Sequence, residues 1–218
     1  MTIQFFGHPF SSYTWKVLIP LYADETSFDY RNVDPAYPEN GEELKRISPF
    51  GLFPTLVDDG EVVLESTPII EHLQAKHPGR NCWIPDRDAG RRTRFLDRFF
   101  DLHVMTNMNA PVGNRLRPEG KKDDYGVERA LQRLKVAYDW LEANLGDGPW
   151  AIGDDFSLAD CAAAPSLFYA DWVEEIGDTR PRLKAYRSRL LAHPAVSRCV
   201  EEARPYRAYF PLGAPDRD

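Results

Sequence analysis

The sequence predicts a small α/β domain followed by an all-helical one, on three observations. Short runs rich in aromatic and β-branched residues alternate with helix-period stretches up to residue 78. A segment dense in proline, glycine and aspartate, "PGRNCWIPDRDAG" (78–90), then interrupts the pattern. Beyond it only helical periods occur. The domains are therefore placed at 1–78 and 91–218, with 79–90 as the linker.

Within the first domain, "TIQFF" (2–6) reads as a strand and "GHPF" as the turn after it. The helix that follows sets Trp15, Leu18, Ile19 and Tyr22 at three- and four-residue spacing. Pro20 lacks a backbone donor and predicts a kink or an early end. "FDYRNV" (28–33) is a second strand and "GEELKRIS" (41–48) a short helix. In "PTLVDDGEVVLES" two β-branched runs flank Asp59-Gly60, a pair suited to the positive φ angles of a two-residue hairpin turn. "TPIIEHLQAKHP" (67–78) supplies another helix, with Ser66 as candidate N-cap and proline in its first turn. The predicted order is β-α-β-α-β-β-α.

In the second domain helices are expected over 91–108, 127–146, 158–176, 181–192 and 195–204. The second of these carries Val127, Leu131, Leu134, Tyr138, Leu141 and Leu145 on one face, with Gly146 where a C-terminal cap would stand. "FSLAD" has capping-box spacing between Ser157 and Asp160, preceded by Phe156, with Cys161 at the staple position. That is a folding signal, and loss of the cap should cost about 1 kcal/mol.

Bulk properties exclude several function classes. The chain has 218 residues, a formal charge of −7, 43% hydrophobic and 28% charged residues, values of an ordinary globular protein. A negative global field disfavours nucleic acid, and the basic stretches "RRTRFLDR" and "RPRLKAYRSR" space their charges as solvated helix faces. The three cysteines, Cys82, Cys161 and Cys199, are too few and too far apart for a disulfide framework or a CxxC site. With no apolar run of membrane length and no basic leader at the N-terminus, a soluble cytoplasmic protein is expected. No HExxH, clustered Cys/His, GxGxxG or P-loop pattern occurs, so neither a metal nor a nucleotide is expected.

Three short motifs remain that could carry chemistry. In "SSYT" the serines stand where a helix begins, and each either caps the helix or donates a hydrogen bond to a bound anion at the positive end of the dipole. In "GLFPTLV", Pro54 opens a strand; a trans bond is the statistical expectation and a cis Phe53–Pro54 bond the alternative. In "LESTP", Ser66 either caps its helix or binds a carboxylate while Glu65 takes an ammonium group. A ligand bearing both an α-amino and an α-carboxylate group would satisfy the last pair at once.

In this order and spacing, over essentially the whole chain, "SSYTWKVLIPL", "SPFGLFPTLV", "ESTPIIEHL" and "FSLAD" resemble the cytosolic glutathione S-transferase family. The first is most similar to the serine-type theta and zeta classes and to bacterial members. The resemblance implies a thioredoxin-like N-terminal domain, an all-α C-terminal domain, a homodimer, and glutathione as co-substrate. It places the catalytic hydroxyl at Ser11, with Ser12 as the close alternative. Phe53 and Pro54 would form the cis-proline loop that pairs with the cysteinyl part of glutathione, and Glu65 and Ser66 would hold its γ-glutamyl end. Phe10, Met105, Asn109, Phe168 and Trp172 are the candidate wall for a hydrophobic electrophile.

Three positions depart from the pattern. Zeta members have a cysteine where this chain has Tyr13, which weakens assignment as maleylacetoacetate isomerase, although Trp15 fits. Leu52 stands where a polar residue often binds the glycyl carboxylate, leaving Lys45 or Arg46 to do so. Pro20 is unusual in the first helix. The expected function is attack of an activated glutathione thiolate on a small hydrophobic electrophile. The alternatives are a glutathione-dependent isomerase, a reductive dehalogenase, or a non-catalytic interaction module on the same scaffold.

Overall fold

In the computed structural model, which describes residues 3–218, β1 (Ile3–Gly7), β2 (Asp29–Asn32), β3 (Thr55–Asp58) and β4 (Glu61–Leu64) form one sheet in the order β2-β1-β3-β4. β2 is parallel to β1, with Phe5 opposite Tyr30; β3 and β4 run antiparallel. Three helices belong to this half: α1 (Ser12–Ala23), α2 (Pro38–Ile47) and α3 (Ser66–Lys76). The sequence-predicted order is therefore the observed one. Thr2, the first residue of the predicted strand, lies outside the described residues. Asp59 and Gly60 turn the β3–β4 hairpin with φ of 46° and 90°, the positive angles that turn needs.

The other half is helical: α4 (Arg87–Phe99), α5 (Thr106–Leu116), α6 (Asp124–Asn144), α7 (Leu158–Val173), α8 (Pro181–Ala192) and α9 (Pro194–Ala203). α4 begins at Arg87, inside the stretch read as linker. α4 and α5 are joined without a break by a π-helical segment, Phe100–Met105, in which the Thr106 amide reaches back to the Asp101 carbonyl. A short 3₁₀ turn, Arg204–Tyr209, follows α9. Among the described residues no helix is long and apolar enough to cross a membrane.

Two local expectations are corrected. α1 is not shortened at Pro20, which is buried within it; regular backbone continues to Ala23, where Asp24 donates its amide to the Pro20 carbonyl. Burial of Val17, Leu18, Ile19 and Leu21 around it outweighs one missing hydrogen bond. Gly146 is not a left-handed cap, because α6 ends at Asn144 in extended backbone at Leu145, and the Arg182 guanidinium takes the Leu145 and Gly146 carbonyls instead.

The interface between the halves fixes the site. Trp15 of α1 is fully buried against Phe168 and Tyr169 of α7, with ring centroids 4.9 and 5.5 Å away. Lys16 is also buried, its Nζ 2.6 Å from Asp97 and 2.8 Å from Asp101 and donating to Thr67 at 3.0 Å. Thr67 in turn donates to Asp97 at 2.9 Å, so one cation ties α1, α3, α4 and the π segment together. Burial pushes the Asp101 carboxyl up, against the pull of Lys16. The connecting segment is seated on Asp24, whose carboxylate accepts from the Arg80 and Asn81 amides and from Trp83 Nε1.

Candidate functional site

The loop after β1 is built around the start of α1. Gly7 must be glycine, because a Cβ there would stand 2.6 Å from Thr14 Cγ2. His8 donates its amide to Thr14 Oγ1 at 3.2 Å, while its Nδ1 accepts from the Phe10 amide at 3.1 Å. Tyr169 of α7 donates its hydroxyl to the Phe10 carbonyl at 2.9 Å, clamping this loop from the helical half. Ser11 is the N-cap of α1, its Oγ accepting from the Thr14 amide at 3.3 Å. The cap uses a lone pair and leaves the hydroxyl proton available to a ligand. Capping and anion binding are compatible roles of one side chain.

Two cavities meet at this point, and Tyr13 lines both. The first, about 240 Å³, is enclosed by Ser48, Leu52, Phe53, Pro54, Glu65 and Ser66 along with Tyr13. The Phe53–Pro54 bond in its wall is cis, against the statistical expectation and in accord with the family resemblance. Ser66 is not the cap of α3: the N-cap is Glu65, and Ser66 is the first helical residue, 5% exposed. Glu65 has φ 69° and ψ 136°, a backbone region that essentially only glycine occupies without strain. The N-terminus of an eleven-residue helix thus opens onto the cavity, with an exposed carboxylate beside it.

Ser48 adds a donor that sequence reasoning missed. Its hydroxyl is buried in the cavity wall without a hydrogen-bond partner among the described residues. Lys45 and Arg46, proposed from sequence for the glycyl carboxylate, do not line the cavity. They are largely exposed and paired with Glu42 and Glu43 on α2.

The second cavity, about 290 Å³, is lined by Ser11 and Ser12, which do not line the first. Of the candidate wall residues, Phe10 and Asn109 line it, and Met105 and Phe168 do not. Each is only 2% exposed and belongs to the core, since the π segment turns Met105 inward and Phe168 packs on Trp15. Trp172 does not line the cavity either; its ring packs tilted against Phe168 and Phe10 and edge-on to Phe210. Met108, Val112, Tyr169, Tyr209, Phe210 and Pro211 supply the remaining wall. Tyr209 and Phe210 come from beyond α9, a segment whose helical period gives no hint that it returns to the β1 loop.

Tyr13 is the residue common to both spaces, and burial pushes its phenol up to about 12, with the charges of Asp101, Glu65 and Asp97 adding to the effect. At neutral pH it is a hydrogen-bond donor and not a phenolate. The site therefore offers a hydroxyl at a helix N-terminus, a second neutral donor, and a second helix N-terminus flanked by a carboxylate, arranged around two adjoining spaces.

Comparison with known proteins gives the same answer. Residues 5–81 match the model of the glutathione S-transferase N-terminal domain, and residues 124–189 match that of the C-terminal domain. A probable maleylacetoacetate isomerase of Caenorhabditis elegans is 29% identical over 84% of this chain and 89% of its own. The Escherichia coli glutathione S-transferase GstB is 25% identical over 91% of this chain and 97% of its own. A Methylobacterium radiotolerans glutathione S-transferase, solved in complex with glutathione sulfonate, superposes with a TM-score of 0.78 at 25% identity, covering 92% of this chain and 95% of that one. With both domains matched in order around a site at their junction, this chain belongs to the glutathione S-transferase family.

Proposed function

We propose that the protein binds glutathione in the Phe53–Ser66 cavity and directs its thiolate at a small hydrophobic electrophile held in the Phe10–Phe210 cavity. The observation that carries this reading is the placement of Ser11, at the N-terminus of α1 and on the edge of the space beside Tyr13. The solved relative with glutathione sulfonate supports glutathione as the ligand. Glu65 takes the γ-glutamyl ammonium, Ser66 and the α3 amides take its carboxylate, and the Phe53 backbone pairs with the cysteinyl unit.

Ser11 donates a hydrogen bond to the sulfur while keeping its proton, so the thiol releases its own proton to solvent and the thiolate persists. Lowering a thiol pKa from about 8.5 by two units takes about 2.7 kcal/mol of preferential stabilisation. A hydrogen bond to a charged acceptor plus the helix dipole is of that size. The sulfur then forms a bond to the electrophilic carbon, and the leaving group departs with its electron pair. Holding both reactants side by side supplies much of the acceleration.

Retention on immobilised glutathione tests the binding step. The parent should be retained, and Glu65→Ala or Ser66→Ala should weaken retention at least tenfold, about 1.4 kcal/mol. Unchanged weak retention in both variants would favour a non-catalytic interaction module.

The C. elegans relative, named as a probable maleylacetoacetate isomerase, favours isomerisation as the second reading. Glutathione consumption separates the two: conjugation uses one glutathione per turnover, isomerisation none. We further place the units at 1–78 and 91–218 and propose a homodimer, for which light scattering should return the mass of two chains. The free thiols, Cys161 and Cys199 buried and Cys82 exposed, suit the reducing cytoplasm we assign to it.

A further inference from the structure

At the end of β3 away from Pro54, Asp58 gathers two histidines that sequence spacing had left apart. His72 Nε2 lies 2.8 Å and His77 Nε2 2.7 Å from the same oxygen, Asp58 Oδ2. The other oxygen, Oδ1, is buried with no hydrogen-bond partner among the described residues, on a side chain only 9% exposed. Such an unmatched buried acceptor is costly unless something else meets it. Glu61 Oε1 stands 4.0 Å from His72 Nδ1, on the far side of that ring from Asp58. The cluster is separate from the glutathione cavity, which none of Asp58, Glu61, His72 and His77 lines.

We propose that Asp58, His72 and His77 form a binding site for a divalent transition metal of the zinc class. One candidate ligand atom from each of the three lies within 4.8 Å of the other two. Two imidazoles and one carboxylate suit zinc, cobalt(II) or nickel(II), whereas magnesium and calcium favour oxygen-only cages. Ligand atoms around a tetrahedral metal stand about 3.3 Å apart, so each ring withdraws from Asp58 by about half an ångström while the histidine ligand atoms, within 4.8 Å of each other, settle at that spacing. Ligation uses the lone pair of each Nε2, so each ring binds the metal with its remaining proton on Nδ1. His72 Nδ1–H then faces Glu61, the carboxylate partner that orients a metal-bound imidazole. The fourth position falls to water, and the His77 side chain, 18% exposed, marks the way in. Bound metal ties the C-terminal end of α3 to β3, because His77 is the C-cap of that helix, its amide donated to the Leu73 carbonyl at 2.8 Å.

The i, i+5 spacing explains why no motif announced the site. Residues five apart lie on different faces of a helix, and it is the non-helical turn at His77, with φ −129° and ψ 59°, that brings its ring back toward Asp58.

Titration of the full-length, tag-free, chelator-treated protein with cobalt(II) tests this. We expect one equivalent per chain with visible bands of a low-coordinate site, displaced by zinc, and a melting temperature that rises with zinc. His77→Gln and Asp58→Asn should each abolish the bands and the thermal shift while keeping the parent's circular dichroism. Glu61→Gln should weaken binding about tenfold. His103→Gln, at an exposed histidine remote from the cluster, should change nothing. Absence of a cobalt spectrum in the parent, or a spectrum and thermal shift that survive His77→Gln, would overturn the proposal. Should His77→Gln fail to fold, His72→Gln reads the same outcomes.

Discussion

Ser11 and Tyr13 divide the work of a proton donor in different ways. Ser11 accepts from the Thr14 amide at 3.3 Å and keeps its own proton to give. Tyr13, pushed up to about 12, holds its proton throughout the neutral range. In Tyr13→Phe, the pH profile of kcat/KM between about pH 6 and 9 should therefore keep its inflection where the bound thiol titrates; a displaced inflection would assign the titration to Tyr13. Glu65 is held at φ 69° by its surroundings, at a cost a glycine would not bear. Glu65→Gly should weaken glutathione retention while leaving stability within about 1 kcal/mol of the parent, as read from urea midpoints. Ser11, Ser12, Glu65 and Ser66 were visible in sequence because each sits at a helix start with a recognisable residue type. Met105 and Phe168 were misplaced because an aromatic or methionine at helical spacing looks alike in a core and in a pocket wall. Lys16 was passed over for a similar reason, as a charge inside an apolar run whose partners lie about eighty residues away.

At the scale of elements, local chemistry dominates where the signal is clean. The Asp59-Gly60 hairpin, the three helices of the first domain and the Ser157–Asp160 capping box all follow from short-range rules. Asp160 does more than its spacing announced. It accepts from the Ser157 amide and hydroxyl, the Ala151 amide and the Tyr186 hydroxyl, at 2.7 to 3.0 Å. Asp160→Ala strands those buried donors, so chemical denaturation should show a loss of at least about 3 kcal/mol, beyond the ordinary cost of a lost cap. Lys16→Met likewise leaves Asp97 and Asp101 without their buried cation, and a loss of about 3–5 kcal/mol is expected by the same measurement. The π segment had no sequence signature, since one residue of extra winding alters the pitch without altering composition.

Across the whole molecule, the two-domain plan was legible because a change of hydrophobic period and a proline-rich break mark it directly. The way the domains close on the site was not, because it depends on long-range partners: Tyr169 on Phe10, Asp24 on the connecting segment, and Tyr209 and Phe210 returning after α9. His193 marks another such junction, between α8 and α9, where its ring stacks on Phe156 with centroids 4.2 Å apart. Burial pushes its pKa below 6.5. The unfolded chain gains that proton near pH 6.5 and the folded chain only at lower pH, so the contribution is complete above pH 6.5 and is lost as the pH falls toward the folded value. Between about pH 7 and 5, urea midpoints of His193→Gln should decline less steeply than those of the parent.

The proposed function turns on the start of α1 stabilising a bound thiolate. Ultraviolet absorbance of enzyme-bound glutathione against pH, for the parent, Ser11→Ala and Ser12→Ala, tests it most directly. A bound thiol pKa about two units below the free value is expected in the parent and in Ser12→Ala, returned toward about 8.5 by Ser11→Ala. Glutathione bound with an unshifted thiol, or a shift that Ser11→Ala leaves intact, would contradict it.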